Sequence, residues 1–357
     1  MRTLYVGSTA SYAGKNLVVM ALGMHFAREG LNVGYMKPVG AVPWRKGDKT
    51  GDEDAAFVMD VLGLDDDPEL VTPVLVTRDF TVQAFKQGHG DLLPRITSSF
   101  AKLAEGRDVM LVAGSGSFTS SGTYSGTDGP SVARALDASV LLVDRYDGEV
   151  HYDDLLVARA ALGEEADRLA GVLFNDVPDS YRDELDTLIA PFLNGRGVEV
   201  LGTVPRDPLL GAIKVADLAE RLSGKIVTAH AHADRVVENF LIGTMQVENF
   251  LTHFRKHKNS AVIVGGDRSD VQLVALEGSC PCLILTGNLY PNDIIMTRSE
   301  VLRTPIITVR EDTYTVARKM ENILSRHKLR DAIKVNHGAK LVSSAMDVRR
   351  LREKVGV

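Results

Sequence analysis

The chain has 357 residues, 45% of them hydrophobic, and a formal net charge of −6. That size suits two globular domains with a short extension, and the acidic balance argues against a general nucleic-acid or membrane-surface binder. Two cysteines, Cys280 and Cys282, give neither a disulfide framework nor a four-ligand zinc spacing, and read as core residues.

Thr3–Ser8 reads as a strand running into the loop Thr9-Ala10-Ser11-Tyr12-Ala13-Gly14-Lys15, with a helix from about Asn16 to Gly30. Such a loop holds phosphate with backbone N–H groups, the positive end of a helix and a lysine ammonium. Ser11, Ala13, Gly14, Lys15 and Asn16 are its candidate contacts. Two positions depart from the usual pattern: Asn16 replaces the Ser or Thr whose hydroxyl binds Mg²⁺, and Thr9 replaces the first glycine. Lys15, His25 and Arg28 interrupt the apolar stretch of residues 1–30, so no signal-peptide pattern exists. No apolar run reaches the ~20 residues that cross a bilayer, and a reducing cytoplasm is the expected compartment.

The next strand, Leu31–Met36, leads into Lys37-Pro38-Val39-Gly40. Lys37 would project near the phosphate loop and neutralise a carboxylate or a terminal phosphate. Asp52 and Asp54 open the amphipathic segment Asp52–Leu62; Ile96–Ala104, Asp153–Leu162 and Tyr181–Leu193 are similar segments. Val109–Val112, Ala138–Val143, Gly171–Phe174 and Val198–Val204 are apolar strands. After Val112 comes a Gly- and hydroxyl-rich loop, 114–130, which either contacts an anion or is plainly flexible. Asn175, at a strand end, is either a ligand contact or a helix cap. Alternating strands and helices imply an α/β fold, a mainly parallel sheet covered on both faces, with ligands at the carboxyl ends of the strands.

Pro205–Gly211 reads as a boundary. Beyond it lie strands Ala261–Val264, Leu283–Leu285 and Ile306–Val309 and helices Val247–Phe254, Asp270–Leu276, Asp293–Leu302 and Thr315–Leu324. The expected organisation is therefore a first domain over 1–210, a smaller α/β domain over 211–327 and an extension over 328–357. In Gly265-Gly266-Asp267-Arg268-Ser269 the glycines permit close approach or positive φ, Arg268 offers a bidentate grip on an anion, and a helix start adds positive charge. The alternative is an Asp267–Arg268 pair with Ser269 as N-cap. His230 and His232 share a face if their segment is extended, with no further ligand near in sequence. Val348–Lys354 reads as a basic helix end, a solvated tail or packing arm in preference to a nucleic-acid patch.

The phosphate loop, Lys37-Pro38-Val39-Gly40 and Asn175 in Gly171-Val172-Leu173-Phe174-Asn175 resemble dethiobiotin synthetase and, further off, cobyrinic acid a,c-diamide synthase. Both are P-loop ligases. Residues 1–210 look most like the dethiobiotin-synthetase-like region at the amino end of long phosphotransacetylases. Asp267-Arg268-Ser269, with Asp270-Val271 where two glycines are usual, is similar to the DRTGG domain over about 212–325, a domain viewed as regulatory. The resemblance implies ATP with Mg²⁺, adenine at Asn175, and metal contacts from the P-loop hydroxyl, an Asp and a later Glu. Asn16 and Ala113 stand at two of those positions; Asp54 is favoured over Asp52 for the third, the alternative being an acid that complements a helix dipole.

The expectation is a cytoplasmic adenine-nucleotide-binding regulatory protein. ATP or ADP would sit at Lys15, Lys37 and Asn175, Mg²⁺ would be held weakly, and a second small-molecule effector would bind near Asp267 and Arg268. A homodimer is expected, with no nucleic acid or membrane partner. The alternative is an ATP-dependent carboxylate-activating ligase with Lys15 and Lys37 as its catalytic residues; a third reading is a ligand-free scaffold.

Overall fold

β1 (Arg2–Ser8), β2 (Val33–Met36), β3 (Val109–Ala113), β4 (Ser139–Arg145), β5 (Leu169–Val177) and β6 (Val200–Pro205) form one parallel sheet in the order β6-β5-β4-β1-β3-β2. The computed structural model describes residues 1–325 and 331–357. The strands are short and largely buried, as a sheet covered on both faces requires. β1 pairs with β3 through Leu4↔Leu111 and with β4 through Leu4↔Ser139. The strand order turns at β1, so the crevice that α/β sheets use for ligands opens at its carboxyl end.

α1 (Lys15–Arg28) starts in that crevice and buries Val18, Val19, Met20, Leu22 and Phe26. A hairpin, Pro43–Lys46 with Lys49–Asp52, was not expected; it delivers Asp52 to the start of α2 (Glu53–Leu62). The segment expected as one helix over Tyr181–Leu193 is broken into Asp179–Glu184, a π turn at Leu185–Ile189 and Ala190–Asn194. Pro191, which lacks the N–H that would continue an α ladder, follows directly on the π turn.

The described residues divide into two units, 1–206 with 331–357, and 207–325. The segment anticipated as an extension is thus two helices of the first unit, Ala332–Ala345 and Val348–Val355. The former packs along α1. Gly202 bridges to Met346, and Asp347 N donates to the Leu201 carbonyl at 2.7 Å. Leu351 and Val355 are buried, while Arg350 and Arg352 pair with Glu199 at 2.8 Å and Glu29 at 2.6 Å. The basic helix end is a packing arm. The boundary expected at 327/328 lies outside the described residues.

The second unit holds β7 (Lys225–Thr228), β8 (Asn239–Ile242), β9 (Ser260–Gly265), β10 (Leu283–Thr286) and β11 (Ile306–Thr308), in the order β7-β11-β10-β9-β8. Only β7 runs antiparallel to its neighbour. Alternate residues feed two cores: Ile263, Cys282, Ile284 and Ile307 on one face, Val262, Leu283, Leu285 and Ile306 on the other. Cys280 and Cys282 are both buried, and burial pushes the Cys280 thiol up to about 12. His230 and His232 lie in a 3₁₀ turn entered through Ala229 at φ 49°, not in an extended segment, so a strand-face pair is not formed. Among the described residues no helix is long and apolar enough to cross a membrane.

Candidate phosphate site

Lys15 is the first residue of α1 and is buried. Its ammonium donates to Ser8 Oγ at 2.6 Å and to the Gly116 carbonyl at 2.8 Å, so it bridges the end of β1 and the loop after β3. Burial, then the neighbouring charge of Lys37, pushes its pKa down from 10.5 to about 8, with Asp54 opposing the shift. Gly14 precedes it at φ 106°, a conformation glycine adopts without penalty. Asn175, at the end of β5, donates Nδ2 to the Ala13 carbonyl at 2.8 Å. One of its amide N–H groups therefore steadies the loop. Ser11 is exposed, Ala13 is buried, and Asn16 is half-buried with no side-chain hydrogen bond among the described residues.

The loop after β3 is anchored rather than plainly flexible. Phe118 is buried edge-on against Tyr5, its N–H reaches the Ser8 carbonyl at 2.7 Å, and Ser121 Oγ accepts from Ser117 N at 2.9 Å. This anchoring presents the Gly116 carbonyl to Lys15.

Lys37, also buried, donates to Asp52 Oδ1 at 2.6 Å and Asp54 Oδ2 at 3.2 Å. Asp52 is the N-cap of α2, accepting from Asp54 N and Ala55 N, and its second oxygen accepts from Ala41 N at 2.9 Å and Val42 N at 3.1 Å. Burial works to raise the Asp52 carboxyl, but Lys37 and the backbone donors outweigh it and hold it below the ordinary value. Asp54 lies in the first turn of α2 with its side chain 18% exposed. Tyr35, on β2, lies two residues before Lys37. Its hydroxyl is buried without a hydrogen-bond partner among the described residues, as is Thr72 Oγ1. Burial, then Asp52 and Asp54, raise the Tyr35 pKa. Sequence reasoning passed over Tyr35, an aromatic hydroxyl within the apolar run that leads to Lys37.

This donor set does not fit a protein-held Mg²⁺, which asks for free carboxylates or hydroxyls. Asp52 already accepts five hydrogen bonds, and Asp54 shares Lys37. Ala113 is fully buried in register with Val6 and brings no ligand atom. Among the described residues no group of three or more His, Cys, Asp or Glu is placed to hold a metal.

Two further groups at this sheet edge carried no sequence signal. Asp144, wholly buried at the end of β4, accepts from Thr9 Oγ1, from His151 N at 2.9 Å and from His151 Nδ1 at 2.9 Å. Burial raises its pKa in spite of these donors. Thr9 thus replaces a glycine with an anchor between the phosphate loop and β4. At the end of β5, Asp176 sits between Arg145 at 2.8 Å and Arg206 at 3.0 Å, and Arg206 lies over the Tyr146 ring.

In the second unit, Arg268 makes its bidentate pair with Asp270, both contacts 3.0 Å, and not with Asp267, which is exposed. Arg268 itself is the N-cap residue of the helix Ser269–Glu277, so Ser269 is not the cap. Neither Gly265 nor Gly266 has positive φ. Close approach explains Gly266, where a Cβ would fall 2.3 Å from Leu289 Cβ. Lys15, Lys37 and Asp54 are brought within electrostatic reach of one another, and Asn175 joins them at the loop. Asp267 and Arg268 belong to the other unit.

A parallel sheet, a glycine-closed loop at the turning point of its strand order and a buried lysine opening the next helix define a P-loop domain. The family model described as "AAA domain" matches residues 2–214, and the chain belongs to that family. The model described as "DRTGG domain" matches residues 217–323. Together, in this order, the two match the amino-terminal region of long phosphotransacetylases. The phosphate acetyltransferase of Synechocystis sp. is 22% identical over 362 residues, 98% of this chain and 51% of that protein. The ATP-dependent dethiobiotin synthetase BioD of Methanococcus vannielii is 32% identical over 116 residues, 32% of this chain and 51% of that protein. The chain spans about half the length of the phosphate acetyltransferases it matches. A solved structure of the CBS and DRTGG domains from the regulatory region of Clostridium perfringens pyrophosphatase, complexed with the activator diadenosine tetraphosphate, aligns at TM-score 0.27 and 20% identity over 31% of this chain and 46% of that one. A likeness that low carries no inference.

Proposed function

We propose that this chain is an adenine-nucleotide-binding regulatory protein with weak or absent phosphoryl-transfer activity. The observation that carries the reading is the pairing of a retained cationic cradle, Lys15 and Lys37, with the loss of metal-gripping side chains at Asn16 and Ala113. Phosphoryl transfer is driven by preorganised charge around the migrating group. A site that keeps its lysines and lacks ligands for Mg²⁺ retains binding and loses most of that drive. ATP or ADP displaces the Gly116 carbonyl from Lys15, and the base lies toward Asn175 at the end of β5. The second unit, through its DRTGG match, takes a separate small-molecule effector. The working form is a cytoplasmic homodimer.

Calorimetry with ATP, ADP and AMP tests the reading. Binding without hydrolysis, abolished in Lys15→Ala, supports it. The ligase alternative draws on the matched dethiobiotin synthetase and on the two buried lysines; phosphate release stimulated by a carboxylic acid would establish it instead. No binding at millimolar nucleotide would leave a scaffold.

A further inference from the structure

Two carboxylate oxygens, Asp52 Oδ1 and Asp54 Oδ2, converge on one point, and a cation stands there: Lys37 Nζ, at 2.6 and 3.2 Å. That ammonium is covalently part of the segment following β2, with its side chain 8% exposed. We propose that Lys37 is the resident counter-cation of the phosphate site, taking the place of a divalent metal ion, so that polyphosphates bind here without Mg²⁺.

Charge bookkeeping and burial support this. Lys15 and Lys37 face Asp52 and Asp54, so the cluster is neutral before a ligand arrives. Asp52 cannot leave, because four backbone N–H groups as well as Lys37 depend on it. Asp54 is different: it sits at the first turn of α2, partly exposed, with a longer contact to Lys37. Its negative charge lies close enough to Lys15 to raise that group's pKa. An incoming anion meets the same charge as repulsion. Asp54 is therefore a brake on polyphosphate binding, where a metal ligand would be a requirement for it. The two readings give opposite signs for one substitution. The unpartnered, buried Tyr35 hydroxyl, within electrostatic reach of both carboxylates, is a donor still unspent at this cluster.

The experiment uses the full chain and two probes. The first is Mn²⁺, followed by electron paramagnetic resonance. The wild type is expected to bind none at this pair, and Lys37→Met is expected to gain a Mn²⁺ site that Lys37→Met/Asp54→Asn lacks. The second is inorganic tripolyphosphate, titrated in EDTA and in excess Mg²⁺. Its wild-type Kd is expected to be unchanged by Mg²⁺, and Asp54→Asn, which leaves the α2 cap intact, should tighten it about tenfold, the order expected from removing one nearby like charge. The proposal is overturned by a wild-type Mn²⁺ site that Asp54→Asn abolishes, by a folded Lys37→Met that gains no site, or by Asp54→Asn weakening tripolyphosphate. The inference rests on the nucleotide reading only in its second probe. Absence of tripolyphosphate binding in either buffer sinks that reading, and the Mn²⁺ result then decides the role of Lys37 alone.

Discussion

Asn175 Nδ2 and the Ala13 carbonyl stand 2.8 Å apart, and this single contact fastens the end of β5 to the last turn of the phosphate loop. It also closes the space above Gly14. A Cβ there would lie 2.3 Å from Asn175 Nδ2, on a backbone already at φ 106°. Gly14→Ala is expected to cost about 1–3 kcal/mol, seen as a lower Tm. Adding Asn175→Ala should relieve the clash and leave the backbone strain, so the double variant recovers only part of the loss. Full recovery would mean that strain at Gly14 is negligible.

Lys15 makes the site sensitive to alkaline pH in a defined direction. With a folded pKa of about 8 against 10.5 unfolded, the folded chain holds fewer protons than the unfolded chain across that window. Stability contributed by this group therefore rises with pH between those values, because the cost of burying the charge disappears. Anion affinity runs the other way. A bound phosphate needs the ammonium, so affinity falls as pH climbs through 8, by up to about tenfold per pH unit. Lys15→Arg stays charged throughout and should flatten the profile. Denaturant unfolding across this range reads the first slope and tripolyphosphate titration the second; an affinity that rises with pH would refute the assignment.

Asp52 and Asp54 should separate cleanly in denaturant unfolding at neutral pH. Asp52→Ala strands the buried Lys37 charge and removes the α2 cap, at a cost of about 3–5 kcal/mol. Asp54→Asn keeps the helix start and weakens a partly exposed ion pair with Lys37, at under about 1 kcal/mol. Equal losses would show that the cap contributes nothing.

Gly202 is a close-approach glycine of another kind. A Cβ on it would fall 2.0 Å from the Ala345 carbonyl oxygen, a backbone atom that cannot turn aside. Gly202→Ala is expected to lift the end of the helix Ala332–Ala345 away from β6, at about 2–4 kcal/mol, and to speed proteolysis within residues 332–355. Unaltered cleavage there would show that the arm is held by other contacts.

Legibility from sequence followed the nature of each signal. The strand, loop and helix around Gly14 and Lys15 were readable because their order is local. Lys37 was readable by its place after an apolar run, and Tyr35 lay within that run. The α/β class and the DRTGG likeness survived as well, through strands such as Ser260–Gly265 and Leu283–Thr286 that bury both faces. β7 and β8 escaped notice because they are short and half-exposed, with little apolar contrast. Asp144 and His151 escaped because their contact is made by a loop that folds back on β4. Arg268 offered two neighbouring carboxylates; backbone direction after Gly266 handed it Asp270, a choice no residue pattern encodes. Charge at the metal positions was readable as an absence, at Asn16 and Ala113, but the ammonium standing between two aspartates is a product of the fold.

The return of the chain to its first unit after residue 331 makes the DRTGG-bearing segment a guest inserted in a discontinuous host. A ribosome releases α1 some three hundred residues before the helix that covers it. Until that helix emerges, the growing host displays an uncovered apolar flank, while the guest already has every strand of its own sheet. The guest is therefore expected to mature first during synthesis, with closure of the host as the final step of assembly.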